Sequence, residues 1–477
     1  MASIRSRITA RSLLPGARLP SVRVQAKAMK VSVSTVVEAY ERLVAEGLIH
    51  AQPGSGFYVS GPLAPLALAE IGPKLDREVD PLWISRQALE AKATVLKPGC
   101  GWLPATWMYE AGLRRALRAL ARADAVALAD YAPPLGLPAL RQALSRRMAG
   151  HGIEASPSQI LLTESGTHAL DLICRFLLEP GDTVLLDDPC YFNFHALLKA
   201  HRVKIAGVPY TTGGPDIERF EAALKTHAPR LYITNSAIQN PTGAELSAVT
   251  AHKLLKLADR TNLVIVEDDI FADFELSPAP RLAAFDGLAR VLHIGSFSKT
   301  LSAAARCGYI AGRPDWIESL TVLKIATNFG GGRLTSDLLL AALTDSGYRK
   351  HMESVRRRLA EAMGKTLTRL APLGIRPWLV PSAGMFVWCR LPEGVNAAAV
   401  ARICLKDNII LAPGNTFSQS QTANGFLRFN VAQSTDEKIF AGIARALDAC
   451  GREDAKKARA IGPNPLKLWS QRGDSNS

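Results

Sequence analysis

Three side chains that could react with or hold a small aromatic cofactor lie in the middle of the sequence. Lys299, Asp268 and Asn240 each follow shortly after a short, mainly apolar run that is typical of a strand. A lysine amine can form a Schiff base with an aldehyde, a carboxylate stabilises a protonated ring nitrogen, and an amide can hydrogen-bond a ring oxygen. Together these side chains indicate chemistry on a pyridine aldehyde.

Other residues of the same segment could hold a phosphate group and a flat ring. Gly166 and Thr167 open a predicted helix, where free backbone N–H groups and the helix dipole attract anions. Ser296 and Arg306 flank the lysine and add a hydroxyl and a guanidinium, and Tyr191 offers a flat aromatic surface. Each feature alone is common in unrelated proteins. In combination they match the requirements of a phosphorylated pyridine aldehyde.

The elements that would position these residues alternate between short apolar runs and amphipathic helices from about residue 96 to 450. This alternation predicts an α/β fold of βαβ units with a mainly parallel sheet. Ligands of such a sheet bind outside the carboxyl ends of the strands, which is where the residues above are placed. The predicted strands are 159–163, 183–186, 231–234, 263–266 and 291–294.

The composition is that of a globular protein with excess positive charge. The 477 residues are 48% hydrophobic, and 57 Lys and Arg against 43 Asp and Glu give a net charge of +14, which favours an acidic partner. Seven scattered cysteines without CxxC spacing predict buried thiols in a reducing cytoplasm and no metal site. No apolar run approaches the roughly 20 residues of a membrane span. We therefore expect a soluble, cytoplasmic protein that makes no membrane contact.

The texture of the sequence divides the chain into four segments. Residues 1–60 are compact and basic, and residues 61–95 contain four prolines, which are typical of a linker. Residues 96–450 form the large α/β domain. Residues 451–477 are polar and rich in helix breakers, which predicts a disordered tail.

The first segment predicts a winged helix-turn-helix, with residues 1–12 available for a first helix. A short helix over 21–29 and a second helix over 33–46 are joined by a three-residue turn and followed by a hairpin with a glycine-rich tip. The residues of the second predicted helix that we expect to face the core are Val36, Val37, Tyr40, Leu43 and Val44.

The stretches RLPSVR, VSVSTVVEAYERLVAEGLI and PGSGFYV resemble the GntR-type DNA-binding domain. The resemblance implies that the N-terminal residues of the second helix enter the major groove of double-stranded DNA. Val33 stands where arginine is frequent in the family, so an arginine-to-guanine contact cannot be inherited. The resemblance places on DNA the residues Arg23, Ser32, Ser34 and Thr35 and the wing residues Gly54, Ser55 and Gly56.

The large segment resembles the fold-type I, pyridoxal-phosphate-dependent aminotransferases of class I and II, through YAPPLGLPALR, NPTG, VIVEDDIFADF, SFSKTLSAAARCGYIAG, SAGMF and FLRFNVA. The resemblance implies pyridoxal 5'-phosphate as cofactor and a smaller C-terminal α+β subdomain. It makes Lys299 the catalytic Schiff-base lysine, Asp268 the partner of the pyridine nitrogen and Asn240 a partner of the ring 3-oxygen. It assigns stacking on the ring to Tyr191 and contacts with the phosphate to Gly166, Thr167, Ser296 and Arg306.

The same resemblance concerns a substrate and a second subunit. Arg428, in FLRFN, is expected to bind the α-carboxylate of an amino acid through two hydrogen bonds. Tyr131, in YAPPLG, is expected to reach the phosphate bound by a neighbouring subunit, which implies a homodimer. Phe271 occupies a position where the family commonly has tyrosine, and the missing hydroxyl argues against efficient transamination.

Joined in one chain, the two segments resemble the MocR subfamily of bacterial transcription regulators. The resemblance implies a DNA-binding regulator that senses an amino acid, an amine or the cofactor itself through pyridoxal phosphate. Two alternatives stay open: a working aminotransferase whose head directs location or dimerisation, and a DNA-binding protein with an inactive body. The promoter, the sign of regulation, the effector and the dimer geometry do not follow from the sequence.

Overall fold

The computed structural model describes residues 16–60, 81–92, 94–123 and 128–460, together with Ile4 and Leu13. The chain divides into two compact units, residues 1–71 and residues 72–477, which we call the head and the body. The first helix predicted within residues 1–12 and most of the predicted linker lie outside the described residues, apart from the positions just given.

The head folds as two helices followed by a hairpin. Its elements are α1 (Val22–Met29), α2 (Val33–Ala45), β1 (Ile49–Gln52) and β2 (Gly56–Val59). Each helix begins at a serine, Ser21 or Ser32, whose hydroxyl accepts a hydrogen bond from a backbone amide of the first turn. The connection turns at Lys30, which lies in the left-handed region with φ of 52°. The two strands pair antiparallel as the predicted wing.

The core of the head is narrower than the sequence predicts. Helix α2 buries Val36, Tyr40 and Leu43, and the Tyr40 hydroxyl donates a 3.0 Å hydrogen bond to the carbonyl of Pro20. Val37 and Val44, which were predicted to face inward, are instead 39% and 38% exposed. The small head covers only one stripe of the helix, and these two valines lie on a row beside that stripe.

The body is built on an eight-stranded sheet in the order β3-β10-β9-β8-β7-β4-β5-β6. The strands are β3 (Ile160–Thr163), β4 (Thr183–Asp188), β5 (Lys204–Thr211), β6 (Gly214–Pro215), β7 (Leu231–Thr234), β8 (Val264–Asp268), β9 (Val291–Ser296) and β10 (Gly308–Ala311). Strands β9, β8, β7, β4 and β5 are mutually parallel, whereas β10 runs antiparallel between β3 and β9. The predicted mainly parallel sheet is confirmed, and β5, β6 and β10 are additions to the predicted strands.

Hydrophobic clusters bury both faces of this sheet, as β4 shows. Leu185 packs into one cluster, whereas Val184 and Leu186 pack into the other, because successive side chains of a strand point to opposite faces. The helices of the body before its C-terminal part are α3 (Pro81–Glu90), α4 (Glu110–Leu120), α5 (Pro138–Ala149), α6 (Gly166–Leu177), α7 (Phe192–Ala200), α8 (Ile217–His227), α9 (Ala248–Thr261), α10 (Leu282–Asp286), α11 (Pro314–Asn328) and α12 (Arg333–Leu343).

The C-terminal part of the body forms the predicted α+β subdomain. Its small antiparallel sheet has the order β11-β12-β14-β13. The elements are α13 (Tyr348–Leu370), β11 (Arg376–Pro377), β12 (Phe386–Arg390), α14 (Ala397–Lys406), β13 (Ala412–Pro413), β14 (Phe426–Asn430) and α15 (Glu437–Ala460). Arg428 lies at the centre of this sheet, opposite Trp388 on one side and Ala412 on the other.

Several predicted boundaries are corrected by the structure. Helix α3 occupies the end of the segment predicted as a linker, and α15 continues to Ala460, into the segment predicted as a disordered tail. Residues 461–477 of that tail lie outside the described residues. Strands β8 and β9 extend to Asp268 and Ser296, so these two residues end strands and do not follow them. Within the described ranges, no helix combines the length and the apolar character that crossing a membrane requires.

Candidate functional site

The predicted cofactor residues meet in one cavity at the carboxyl ends of the parallel strands. The space measures about 820 Å³, open solvent at its mouth included. Every predicted cofactor residue except Tyr131 lines it: Gly166, Thr167, Tyr191, Asn240, Asp268, Ser296, Lys299 and Arg306.

One end of the cavity is shaped for an anion. Helix α6 begins after Ser165, whose hydroxyl accepts a 3.0 Å hydrogen bond from the His168 amide. The amides of Gly166 and Thr167 are thus left without helical partners where the helix dipole is positive. Strand β10 approaches this turn closely, because a Cβ on Gly308 would lie 2.6 Å from the carbonyl carbon of Ser165. Glycine at this position therefore permits the close packing that forms the anion pocket.

Hydroxyl and guanidinium groups complete the anion pocket. The Ser296 hydroxyl donates a 3.0 Å hydrogen bond to the Cys307 carbonyl and accepts one of 3.2 Å from the Ser298 amide. Arg306 joins the lining with φ of 29°, a conformation that is strained for a residue with a side chain. Ser298 also lines the cavity and was missed by sequence reasoning, although it lies within the quoted SFSKT stretch.

Asp268 also lines the cavity and is 8% exposed. Its carboxylate accepts a 3.2 Å hydrogen bond from the Ile270 amide, and the Asn235 amide donates to its backbone carbonyl at 3.0 Å. Burial raises the pKa of the Asp268 carboxyl to about 6. A cation placed against this carboxyl would favour its charged form, so the position fits a protonated pyridine nitrogen.

The Lys299 side chain lines the same cavity. It donates a 2.6 Å hydrogen bond to the carbonyl of Gly101. Burial, and then the nearby positive charge of Arg428, lower the pKa of Lys299 to about 8. About a tenth of this amine is therefore neutral at pH 7, against far less than a hundredth for an ordinary lysine, and the neutral form is the one that attacks a carbonyl carbon.

Arg428 is a buried guanidinium, 1% exposed, whose hydrogen bonds within the described residues go to neutral acceptors and not to a carboxylate. Its Nη1 donates to Oδ1 of Asn240 at 2.9 Å and its Nη2 to the Gly99 carbonyl at 2.7 Å, while its Nε has no hydrogen-bond partner in the described structure. The guanidinium carbon lies 4.1 Å from the ring centre of Phe386 and 4.7 Å from that of Phe417. Burial lowers its pKa to about 10, so the group stays charged at neutral pH.

The contact with Arg428 also orients Asn240. Since Oδ1 accepts from the guanidinium, Nδ2 is left to donate a hydrogen bond into the cavity. The amine and the guanidinium both line the space beside Gly101, because a Cβ on Gly101 would be 3.9 Å from Lys299 Nζ and 4.0 Å from Arg428 Nη2. An amino acid carries both an amino group, which can replace the lysine amine, and a carboxylate, which can pair with the guanidinium.

Aromatic residues form the remaining walls. Phe271 lines the cavity at 3% exposure, and its ring centre lies 5.6 Å from that of Phe386. It brings no hydroxyl to the position, as the sequence indicated. Tyr191 lines the cavity beside Phe194, and burial raises the pKa of its hydroxyl, which therefore stays protonated at neutral pH.

Tyr131 is the predicted cofactor residue that the structure does not bring to the cavity. Its side chain is 73% exposed, and its ring centre lies 5.0 Å from that of Phe329, which is 62% exposed. The role expected of Tyr131 lies in a neighbouring subunit and stays a prediction.

Other lining residues were missed by sequence reasoning. Asn235 directly follows β7, so the rule that ligands bind at strand ends could have found it. Asn193 lies in the first turn of α7, beside the predicted Tyr191. Gly101 comes from a loop that precedes the sheet, and no sequence signal marks it.

The predicted DNA contacts of the two helices lie in the first turn of α1, for Arg23, and at the start of α2, for Ser32, Ser34 and Thr35. Arg23, Ser32, Ser34 and Thr35 are all exposed. The Ser32 hydroxyl accepts from the Thr35 amide at 3.1 Å and is hydrogen-bonded to the hydroxyls of Ser34 and Thr35 at 2.8 and 2.7 Å. This network fixes the first turn of the helix and presents its hydroxyls to solvent.

The predicted wing contacts lie at the hairpin turn. Gly54 and Gly56 have φ of 72° and 112°, the left-handed region that glycine tolerates. The Ser55 hydroxyl is hydrogen-bonded to the Tyr58 hydroxyl at 2.6 Å. The wing tip is therefore built as a compact turn that could lie against a phosphate backbone.

Comparisons with known proteins identify the class of the body. Residues 108–445 match the family Aminotransferase class I and II. An α-aminoadipate aminotransferase of Thermus thermophilus, solved with N-(5'-phosphopyridoxyl)-L-leucine, is 26% identical with a TM-score of 0.71, covering 81% of this chain and 99% of that chain. A 2-aminoadipate transaminase of the same organism is 31% identical over 72% of this chain and 87% of its own length. By family, the body belongs to the class I and II aminotransferases.

The head narrows this identification. Residues 1–59 match the family Bacterial regulatory proteins, gntR family. The HTH-type transcriptional regulator YdcR of Escherichia coli is 30% identical over 91% of this chain and 94% of its own length. The chain therefore belongs to the MocR-like GntR-type transcription regulators, which join this head to an aminotransferase-like body. Pyridoxal 5'-phosphate is the cofactor of this class, and the cavity residues fit it.

Proposed function

We propose that this regulator binds double-stranded DNA through the start of α2 and senses an amino acid through pyridoxal phosphate in its body. The observation that carries the proposal is the buried Arg428, which lacks an acidic partner among the described residues and lies beside Lys299. A buried guanidinium is costly unless a carboxylate reaches it. This favours an amino acid as the effector over a simple amine or the free cofactor.

Each side chain of the cavity has a defined task in this proposal. When bound, pyridoxal phosphate supplies an aldehyde carbon for which Lys299 and an incoming amino group compete. Lys299 can lose its proton near neutral pH, because its pKa is about 8. Arg428 binds the carboxylate of the effector, and Asp268 supports a positive charge on the ring nitrogen. The effector is thus held by two charged contacts and by competition with the lysine.

The head carries the features expected of a DNA-binding surface. Exposed hydroxyls at a helix start and the nearby Arg23 can contact phosphate oxygens, and the net charge of +14 favours a polyanion. A cytoplasmic location is part of the proposal, because a bacterial regulator must reach the chromosome.

A homodimer is the proposed assembly. Support comes from the exposed aromatic pair of Tyr131 and Phe329, since large exposed aromatic side chains are typical of contact surfaces. Two copies would also present two heads to two half-sites of DNA.

A working aminotransferase is the second candidate, and the placement of Lys299 favours it. A released lysine amine with a pKa of about 8 could serve as a general base for proton transfer. The absence of a hydroxyl at Phe271 argues in the opposite direction. Product formation separates the two candidates.

The decisive experiment measures DNA affinity with and without each amino acid, on cofactor-loaded wild type and on Lys299→Ala. We expect one amino acid to change affinity by about 5–150-fold, the range of typical coupling between sites. By linkage, operator DNA should change the affinity for that amino acid by the same factor. Unchanged DNA affinity across amino acids and amines, with steady keto-acid release, would instead establish the aminotransferase. A response that persists in Lys299→Ala would point to non-covalent sensing.

A further inference from the structure

An apolar side chain stands at the position of α2 that is best placed to reach a base. Val33 is the first residue of the helix and is 49% exposed. Its neighbours Ser32, Ser34 and Thr35 all carry hydroxyls, which are hydrogen-bonded to one another. The exposed first turn therefore combines a hydroxyl network with one aliphatic group that can neither donate nor accept a hydrogen bond.

The charges of α2 make this first turn the part that can approach DNA most closely. The first turn holds no acidic residue. Glu38 follows one turn later, where it pairs with Arg42 at 2.7 Å, and Glu41 is exposed one turn beyond Val37. Carboxylates repel the phosphate backbone, whereas the helix N-terminus attracts it. The helix should therefore enter a groove by its N-terminal end, with Val33 in front.

We infer that Val33 is a specificity-determining residue that contacts the 5-methyl group of a thymine. In the major groove, the apolar group that distinguishes one base pair from the others is this methyl, and small aliphatic side chains contact it. Val33 thereby selects an A·T pair at one position of each half-site. The inference rests on the proposed DNA binding by the head and adds what one residue reads there.

The row of exposed valines offers an internal control. Val33 and Val37 are separated by one turn and lie on the same row, and Val37 is 39% exposed. If another part of the protein covered this row, substitution of either valine would leave the ratio of affinities for thymine and deoxyuridine sites unchanged. If Val33 contacts a thymine, substitution of Val33 alone should change that ratio.

The experiment uses the full-length, cofactor-loaded protein. A preferred site is first selected from random-sequence duplex DNA, and each thymine of that site is then replaced in turn by deoxyuridine, which removes only the 5-methyl group. We expect one replacement per half-site to weaken wild-type binding about fourfold, the factor for one buried methyl-sized group. Val33→Gly, which removes the side chain altogether, should bind the thymine and deoxyuridine sites nearly equally. Val37→Ala should keep the wild-type difference.

A gain of new specificity completes the test. Arginine pairs with guanine through two hydrogen bonds, so selection with Val33→Arg should replace thymine by guanine at the same position. Equal deoxyuridine effects in wild type and Val33→Gly, or an unchanged selected base in Val33→Arg, would overturn the inference while leaving DNA binding intact. Failure of the wild type to select any sequence would instead overturn the proposed function. Circular dichroism of the variants confirms that the exposed substitutions leave the fold unchanged.

Discussion

The proposed ligand-binding residues of the head are exposed to water, whereas those of the body are buried. In the head, Arg23 and the hydroxyls at the start of α2 are exposed and remain solvated. In the body, Arg428 and Asp268 are 1% and 8% exposed, and burial lowers the pKa of the first and raises that of the second. The exposed surface of the head can bind a long ligand such as duplex DNA, whereas the cavity of the body admits only a small ligand.

This difference determines how each site discriminates. A buried charged group carries a desolvation cost that only the correct partner offsets, so the wrong ligand leaves it unpaired. An exposed group loses little when its partner is absent, and its contacts are weak, screened by salt and nearly additive. We therefore expect single substitutions in the body to have large, ligand-specific effects and those in the head to have small, graded ones.

The largest effect should come from Lys299. We expect Lys299→Ala to abolish the near-ultraviolet or visible absorbance band of a cofactor linked to lysine. Lys324→Met is a matched control, because Lys324 is also buried, has a pKa of about 8 and donates to the Pro134 carbonyl, away from the cavity lining of the described structure. Its band should persist. Loss of the band in Lys324→Met but not in Lys299→Ala would show that the cofactor is linked to Lys324 and not to Lys299.

The second effect concerns the carboxylate of the effector. Arg428→Ala should weaken the spectral response to amino acids by about 30-fold or more, the range for truncating one member of a buried charge pair. The resting absorbance band should remain, and the response to the decarboxylated amine should change little. Arg390→Ala, an exposed arginine on neighbouring β12, provides the control and should behave as wild type. Equal losses for the amino acid and its amine would contradict a carboxylate contact.

The third effect is a pH dependence of stability in cofactor-free protein. The folded Asp268 carboxyl has a pKa of about 6 against an ordinary 3.8, so the folded state binds more protons between these values. Wild-type stability should therefore rise as pH falls from above 6 to below 4. At pH 8, Asp268→Asn should be more stable by about 3 kcal/mol, and the difference should vanish below pH 4.

Thermal unfolding of both cofactor-free proteins across this pH range measures that difference. Asp259→Asn is the control, since Asp259 is 74% exposed and pairs with Arg290 at the surface. If the stability of wild type and of Asp268→Asn changed with pH in parallel, burial would not raise the pKa of the Asp268 carboxyl. With the cofactor bound, wild type should be more stable than Asp268→Asn, because a positively charged ring nitrogen is stabilised by the Asp268 carboxylate.

The sequence predicted the cavity well because parallel strands place their carboxyl ends at one edge. Residues that follow strands, such as Asn240 and Lys299, can therefore be grouped without knowing the strand order. Gly101 could not be found this way, since its loop reaches the cavity by tertiary packing alone. Strand β10 escaped prediction because its four residues begin at Gly308, which is required only by the close approach to α6.

Helix boundaries and faces were harder to predict, and each error has a physical source. Val37 and Val44 are apolar, but burial depends on whether the small head has a partner to cover them. Helix α15 continues to Ala460 through a stretch rich in Ala, Lys, Arg and Glu, residues that favour helix even when no core requires it. A polar stretch can therefore extend a helix when its residues have high helix propensity.

The smallest effect should come from Arg23, which tests whether a single exposed contact in the head contributes little to affinity. Arg23→Ala removes one exposed cation, so the slope of log affinity against log salt should fall by about one, with a severalfold loss of affinity. The loss should be the same for the preferred DNA site and for unrelated duplexes, because phosphates carry no sequence information. Arg42→Ala, an exposed arginine already paired with Glu38, should change the slope little. A loss of affinity confined to the preferred site would show that Arg23 contacts a base. The head would then also contain a ligand-specific contact, and its exposed residues would differ less from the buried residues of the body.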